Sequence, residues 1–335
     1  MVILIVLGVT IFGFRTYNAR KYAPDNNAEN SSTYESPTDL TAYDMNISGV
    51  DVEHIEGEYL NGFHLKPKTI THKGVIVTFG GSEGSPNYQA ASIFAENGYE
   101  VFSLFFFGME NQQKELVKVP LEFFDEVLKY IDENAKDASV ITLYGASKGA
   151  ELSLNLAVRY PEIDNVTLIA PSEYSYMGLS FSSREFQSSW TWEGLEVPFI
   201  DMSKGDSSEG AKMFFDMMTM NPVSYRGSYE SAANGDPNRE NARIKVENTN
   251  ANILLIAGTD DMMWQSDVAA EHIYEKRPNN TEKLIYEGAG HIFYTDRYEK
   301  IGDMVLALGG DLDTNKKAAV DSEIKISEKL VEWHK

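Results

Sequence analysis

The sequence predicts an α/β fold built on a mostly parallel, doubly wound sheet, and three observations predict it. Short apolar, β-branched runs such as Val75–Phe79 and Val140–Tyr144 recur along the chain, as buried parallel strands do. Segments with helical spacing lie between them, so strand and helix alternate, which covers such a sheet on both faces. At 335 residues, 42% of them apolar, the chain is long enough for one large domain of this kind.

Taken in order, Val52–Leu60 and Phe63–Leu65 read as an opening strand pair around a turn at Asn61-Gly62. Val75–Phe79 follows and ends in Gly80-Gly81. Tyr88–Asn97 reads as a helix stopped by Gly98, and Val101–Phe107 as the next strand. Leu121–Ala135 puts Phe123, Phe124, Val127, Leu128 and Ile131 on one helical face behind Pro120, a residue suited to a first turn. Val140–Tyr144 is a strand, Ala150–Arg159 a helix ending before Pro161, and Val166–Ala170 a strand. From Pro171 to about Asn250 the rhythm breaks. Tyr174, Tyr176, Met177, Trp190, Trp192, Met213, Phe214, Phe215, Met217 and Met218 mix there with Ser, Gly and Asn, which reads as a cap inserted at about 172–250. Ile253–Ala257 resumes the sheet, Val268–Lys276 is helical, Lys283–Glu287 is the last strand and Ser322–His334 the closing helix.

The ends of the chain add an expectation. Residues 1–14 carry no charge, and Arg15, Arg20 and Lys21 follow. Fourteen helical residues reach roughly 21 Å, against a hydrocarbon core of roughly 30 Å. Residues 1–21 are expected to be an uncleaved membrane anchor, in preference to an atypical signal peptide or a buried helix. The basic residues after the span favour a cytoplasmic domain. Residues 22–49, polar and rich in Asn, Ser, Pro and Thr, read as a linker, and 50–335 as the folded domain. A net charge of −22 excludes nucleic acid as a partner, since phosphate backbones need clustered Lys and Arg. The absence of cysteine excludes disulfides, thiolate catalysis and Cys-based zinc sites. No His/Asp/Glu cluster has metal-ligand spacing and no GxGxxG or Walker-type loop occurs, so neither a metal nor a cofactor is expected.

The run Gly145-Ala146-Ser147-Lys148-Gly149 stands between a strand and a helix. A sharp turn there exposes a serine at the carboxyl edge of the sheet, and it wants glycine on both flanks because the backbone passes close to its neighbours. Ser147 is therefore the expected nucleophile, and it needs a base. Of 6 histidines, His54, His64 and His72 precede it, His272 lies within a helix and His334 is one residue from the terminus. His291 follows a strand through the turn Gly288-Ala289-Gly290 and fits the chain order serine, acid, histidine of this turn's fold, the α/β-hydrolase fold. The acid is expected at the end of the preceding strand, in Gly258-Thr259-Asp260-Asp261, where adjacent side chains diverge and only one can face the ring. Asp261 is favoured; Asp260 suits local backbone amides. An oxyanion hole needs two backbone N–H donors. Lys148 supplies one, and Gly81 or Ser82 the other.

Eight stretches in order, FGGSEGS (79–85), GYEVFSLFFFGME (98–110), VPLEFFDEVLKYI (119–131), GASKGAELSLNLA (145–157), SSWTWEG (188–194), IKVEN (244–248), LLIAGTDDMMWQS (254–266) and GAGHIFY (288–294), carry a resemblance. From about Thr71 onward the chain resembles the catalytic C-terminal domain shared by acyl-CoA thioester hydrolases and bile acid-CoA:amino acid N-acyltransferase. Lys148 and the pair Glu151-Leu152 are more particular to that family than GxSxG alone. The resemblance implies a triad of Ser147, Asp261 and His291, an acyl-CoA substrate and an acyl-serine intermediate resolved by water. The amidating members carry cysteine where Ser147 stands, so hydrolysis is the implied outcome. A carboxylesterase or lipase-like enzyme would use the same triad. A membrane-tethered binding protein on a retired scaffold would show a damaged one, yet every part is present.

Overall fold

The computed structural model describes residues 2–22, 36–180, 182–183, 185–293, 297–301 and 304–335. An N-terminal helix α1 (Val2–Lys21) comes first. The domain then runs β1 (Val50–Glu56), β2 (Asn61–Pro67), β3 (Val75–Phe79), α2 (Tyr88–Glu96), β4 (Glu100–Leu104), β5 (Val119–Pro120), α3 (Phe123–Asn134), β6 (Ile141–Ala146), α4 (Lys148–Ala157) and β7 (Asn165–Ile169). After β7 come β8 (Trp190–Trp192), β9 (Leu195–Glu196), α5 (Ser207–Thr219), α6 (Arg226–Gly235) and α7 (Arg239–Ala242). The chain closes with β10 (Asn252–Gly258), α8 (Ser266–Lys276), β11 (Thr281–Tyr286), β12 (Tyr298–Ile301), β13 (Met304–Ala307) and α9 (Leu312–Trp333).

Eight strands form the main sheet in the order β1-β2-β4-β3-β6-β7-β10-β11. Only the pairs β1/β2 and β2/β4 are antiparallel; every other pair is parallel. Residues alternate across the sheet as the two-residue period demands. Val75, Val77, Leu143, Val166, Leu168 and Leu255 join the core on one face with α3, α4 and α8, while Ile76, Val101, Tyr144, Ile169 and Ile256 join the other with α2 and α9. Both faces are covered, which is why β3, β4 and β7 are buried throughout, including their polar residues Thr78, Glu100, Ser103, Asn165 and Thr167.

Four expectations change. The opening hairpin turns at Gly57–Leu60, not at Asn61-Gly62, which lie inside β2. The Glu126 carboxylate of α3 accepts the N–H groups of Glu58, Tyr59 and Leu60, so a distant side chain, not the Asn-Gly pair, fixes the turn. The C-terminal part of the expected linker also packs on the domain: Tyr43 is buried against Phe63, Tyr88 and Phe105. Residues 23–35 of that linker lie outside the described residues, as does Tyr294 of the last resembling stretch. The Lys283–Glu287 strand closes the main sheet as β11, but the β12–β13 hairpin follows it. Finally, α9 starts ten residues before Ser322, because Asp311 accepts the Thr314 N–H and caps it there.

Helix α1 touches the cap through Asn18, whose Nδ2 donates to the Thr219 carbonyl at the end of α5. Among the described residues no helix is long and apolar enough to cross a membrane. The aromatic and Met side chains of the inserted segment divide: Tyr176 and Trp190 are core, whereas Phe214, Phe215 and Met218 are exposed.

Candidate active site

The sheet order reverses direction around β3, which lies between β4 and β6, and the carboxyl ends of strands at such a point form a crevice. Phe79 at the end of β3 pairs with Gly145 at the end of β6, so the loop after β3 and the turn after β6 are neighbours there. Ser147 forms that turn with φ 53° and ψ −119°, a conformation costly for a residue with a Cβ. Its N–H donates to Ile169 O at 2.9 Å, which fastens the strained residue to β7. A Cβ on Gly145 would collide with Gly149 O, and one on Gly149 with Gly80 O, so both flanks must be glycine.

Ser147 is partly exposed, and its Oγ lies 2.9 Å from His291 Nε2. His291 Nδ1 lies 2.8 Å from Asp261 Oδ2. A carboxylate only accepts, so Nδ1 carries the proton and Nε2 is left to accept from the serine hydroxyl. Asp261 is fully buried and fully bonded: Oδ1 accepts from the N–H groups of Met263 and Trp264, and Oδ2 also accepts from Ser266 Oγ. These bonds leave the carboxylate one orientation. The His291 ring stands edge-on to Trp264, centroids 5.9 Å apart, and the residue's backbone N–H donates to Leu308 O. Asp260 turns away and accepts the Gly310 N–H.

The other five histidines are engaged elsewhere. His64 bonds Glu100, His272 bonds Glu173, His54 bonds Asn61, His334 bonds Thr142 and Lys73 O, and His72 stacks on Tyr99. Among the described residues no group of three or more His, Asp or Glu could hold a metal ion.

Of the expected oxyanion donors, Lys148 opens α4, whose N-terminal dipole end begins at Ser147. Gly81 lies against the serine, since a Cβ built on it would come within 3.4 Å of Ser147 Cβ. Its N–H donates to Glu83 Oε1 at 3.0 Å, and Ser85 Oγ donates to the same oxygen. Ser82 beside it is exposed. The sequence did not disclose Glu83 in this role, nor Trp264 and Ser266 around Asp261. It also left the Lys148 side chain unread: that chain is 2% exposed and paired with Glu151. The one signal for it was the family-particular Lys148 and Glu151-Leu152 after the turn.

A strained serine turn between a parallel strand and a helix, on this sheet, defines an α/β-hydrolase-fold protein. Solved structures agree on the fold. An esterase of Pyrococcus furiosus superposes with a TM-score of 0.53 at 14% identity, over 85% of this chain and 92% of its own. Carboxyl esterase 2 of Tuber melanosporum gives 0.53 at 13% identity, over 96% and 98%. The chain belongs to the BAAT / acyl-CoA thioester hydrolase C-terminal family, whose sequence profile matches residues 119–328. Acyl-coenzyme A thioesterase 6 of Homo sapiens is 24% identical over 280 residues, 77% of this chain and 59% of that protein. Bile acid-CoA:amino acid N-acyltransferase of Mus musculus is 25% identical over 224 residues, 65% and 48% respectively. The chain thus spans 59% and 48% of the lengths of these two relatives.

Proposed function

We propose that this chain is a serine hydrolase of acyl thioesters, with fatty acyl-CoA as the substrate class. The observation that carries the reading is the row of hydrogen bonds from Ser147 Oγ to His291 Nε2 at 2.9 Å and from His291 Nδ1 to Asp261 Oδ2 at 2.8 Å. His291 takes the Ser147 proton as Oγ bonds to the thioester carbonyl carbon. The tetrahedral oxyanion is met by the Lys148 N–H and by a second donor from Gly81 or Ser82. The carbon–sulfur bond then breaks, and His291 returns the proton to the leaving thiolate, giving free thiol and acyl-serine. Water, deprotonated by His291, cleaves the acyl-serine and restores the hydroxyl. Asp261 holds the ring and stabilises its charged form throughout. Family membership and the thioesterase relatives support the thioester; the serine at position 147, where the resemblance implies cysteine in the amidating members, supports hydrolysis.

A second reading, carboxylic-ester hydrolysis by the same residues, is favoured by charge. Coenzyme A is polyanionic, and the net charge is −22. Lys114 donates to the carbonyls of Met109 and Glu110, and Lys118 pairs with Glu196 at 3.1 Å. Parallel turnover of acyl-CoA thioesters of varied chain length and of simple carboxylic esters separates the two. Thioester turnover is expected to dominate and to fall by about 10³-fold or more in Ser147→Ala. A strong preference for oxygen esters replaces the first reading with the second. A wild-type protein that no fluorophosphonate probe labels replaces both with a binding protein.

A further inference from the structure

The residue after the nucleophile points the wrong way for a surface lysine. Lys148 turns its ammonium into the protein, 2.8 Å from Glu151 Oε2 and 3.0 Å from Ser189 Oγ, with the Tyr176 ring face 6.0 Å away. Glu151 is fully buried, and its other oxygen accepts Trp190 Nε1 at 2.7 Å and the Tyr176 N–H at 3.1 Å. Ser189 Oγ in turn donates to Tyr176 O. One carboxylate thus joins the first turn of α4 to two separate points of the inserted segment.

The connection continues to the acid and the base. The Tyr176 ring stacks on Trp264, centroids 6.0 Å apart at 28°, and Tyr176 Oη accepts from Gln265 Nε2 at 2.8 Å. Trp264 N–H donates to Asp261 Oδ1, and its ring is the edge-on neighbour of His291. From Glu151 the path to the Asp261–His291 pair runs through the Tyr176 backbone N–H, then the Tyr176 ring on the Trp264 ring, which meets His291.

Burial pushes the Lys148 ammonium down from its ordinary value and the Glu151 carboxyl up, with their mutual attraction opposing both. A buried ion pair is a poor source of stability, because apolar side chains of similar volume do as well. What an apolar pair cannot supply is direction: fixed bonds to Trp190, Tyr176 and Ser189 at set angles.

We infer that Glu151 is a positioning residue for acyl transfer: through Lys148 it sets the amide that faces the oxyanion, and through Tyr176 and Trp264 it keeps Asp261 and His291 in register with Ser147. This rests on the serine-hydrolase reading above. The inserted segment is accordingly a fixed wall where it carries Tyr176 and Trp190, not a lid.

The test compares wild type, Glu151→Gln, Lys148→Met and the double variant Lys148→Met/Glu151→Leu in the full chain. Thermal midpoint, fluorophosphonate labelling rate, and kcat and KM on a preferred acyl thioester are read for each. Single variants strand a buried charge or an unmatched partner and are expected to lose thermal midpoint. The double variant is expected to regain it while kcat and labelling rate stay about 10- to 100-fold down, with KM within about threefold, since small displacements of reacting groups cost that much. A double variant with both midpoint and kcat at wild-type level overturns the inference, leaving the pair as packing alone. Should the double variant not fold, Trp190→Phe decides. It removes one bond to Glu151 and no charge, and an expected three- to tenfold fall in kcat at constant KM upholds the inference, whereas unchanged kcat overturns it. Failure of the underlying reading is distinct: the wild type itself then escapes the probe.

Discussion

Two constellations start on the same turn and are built in opposite ways. Ser147, His291 and Asp261 come from loops after β6, β11 and β10, and the hydroxyl at their head is partly open to solvent. The second begins one residue further on, at Lys148, and with Glu151, Ser189 and Trp190 it is sealed, every charge answered by a partner inside the protein. The difference teaches where each kind of polar group can stand. A group that must trade protons with a substrate has to keep one face free, and rests on a carboxylate that has none free. A group that only holds geometry is best kept away from water, where its bonds are strongest.

The largest expected effect breaks the open constellation. His291→Ala removes the proposed base but no core contact of the sheet, so on the proposed function thioester turnover should fall about 10³- to 10⁴-fold while the thermal midpoint stays within a few degrees. Asp261→Asn comes next, at about 10²- to 10⁴-fold, because an amide cannot both accept from His291 Nδ1–H and serve the Met263, Trp264 and Ser266 donors as a carboxylate does. Unlike His291→Ala, it should also lower the thermal midpoint, which calorimetry reads. Gly149→Ala attacks the turn that both constellations share: the added methyl meets Gly80 O and lies 2.8 Å from Phe79 O. A loss of about 2–4 kcal/mol in urea unfolding is expected, since both obstacles are backbone.

The smallest effect sharpens the contrast from outside. Arg243 bonds the Glu247 carboxylate bidentately at the surface and, with that bond the chief cause, lowers it to about 2. A lowered carboxyl stabilises fully above its unfolded value and loses that contribution as pH falls toward the folded one. The Glu247 side of the pair is open to solvent, which screens it, so the contribution is small, and Glu247→Gln should change stability at neutral pH by under about 1 kcal/mol in the same urea assay. A larger effect would mean that surface charge, not burial, governs this protein.

How much of this was legible follows from the range of each interaction. The strands at β3, β6, β7 and β10 could be read because burial on both faces leaves short runs dominated by apolar and β-branched residues in the sequence itself. Ser147, Asp261 and His291 could be read because each sits at a strand end, next to glycine or in a fixed chain order. The hairpin at Gly57–Leu60 could not, since the Glu126 that shapes it is more than sixty residues away and the Asn61-Gly62 pair gives a stronger local signal. Tyr43 hid in a polar stretch for the same reason: only the fold brings Phe63, Tyr88 and Phe105 around it. The Lys148–Glu151 pair has no local meaning in the sequence. Its partners lie in the inserted segment, whose short pieces are held by side-chain bonds and leave no periodic trace.

The bond from the Gly81 N–H to Glu83 has a consequence for how a reacting carbonyl is received. In the resting molecule the amide is already aligned by a negatively charged oxygen of the chain itself, with Ser85 sharing the task. An oxyanion that draws on Gly81 therefore takes over a seat the protein keeps warm with one of its own anions. If Gly81 is the second donor proposed above, the exchange swaps one like-charged occupant for another, and the amide is oriented before the carbonyl arrives.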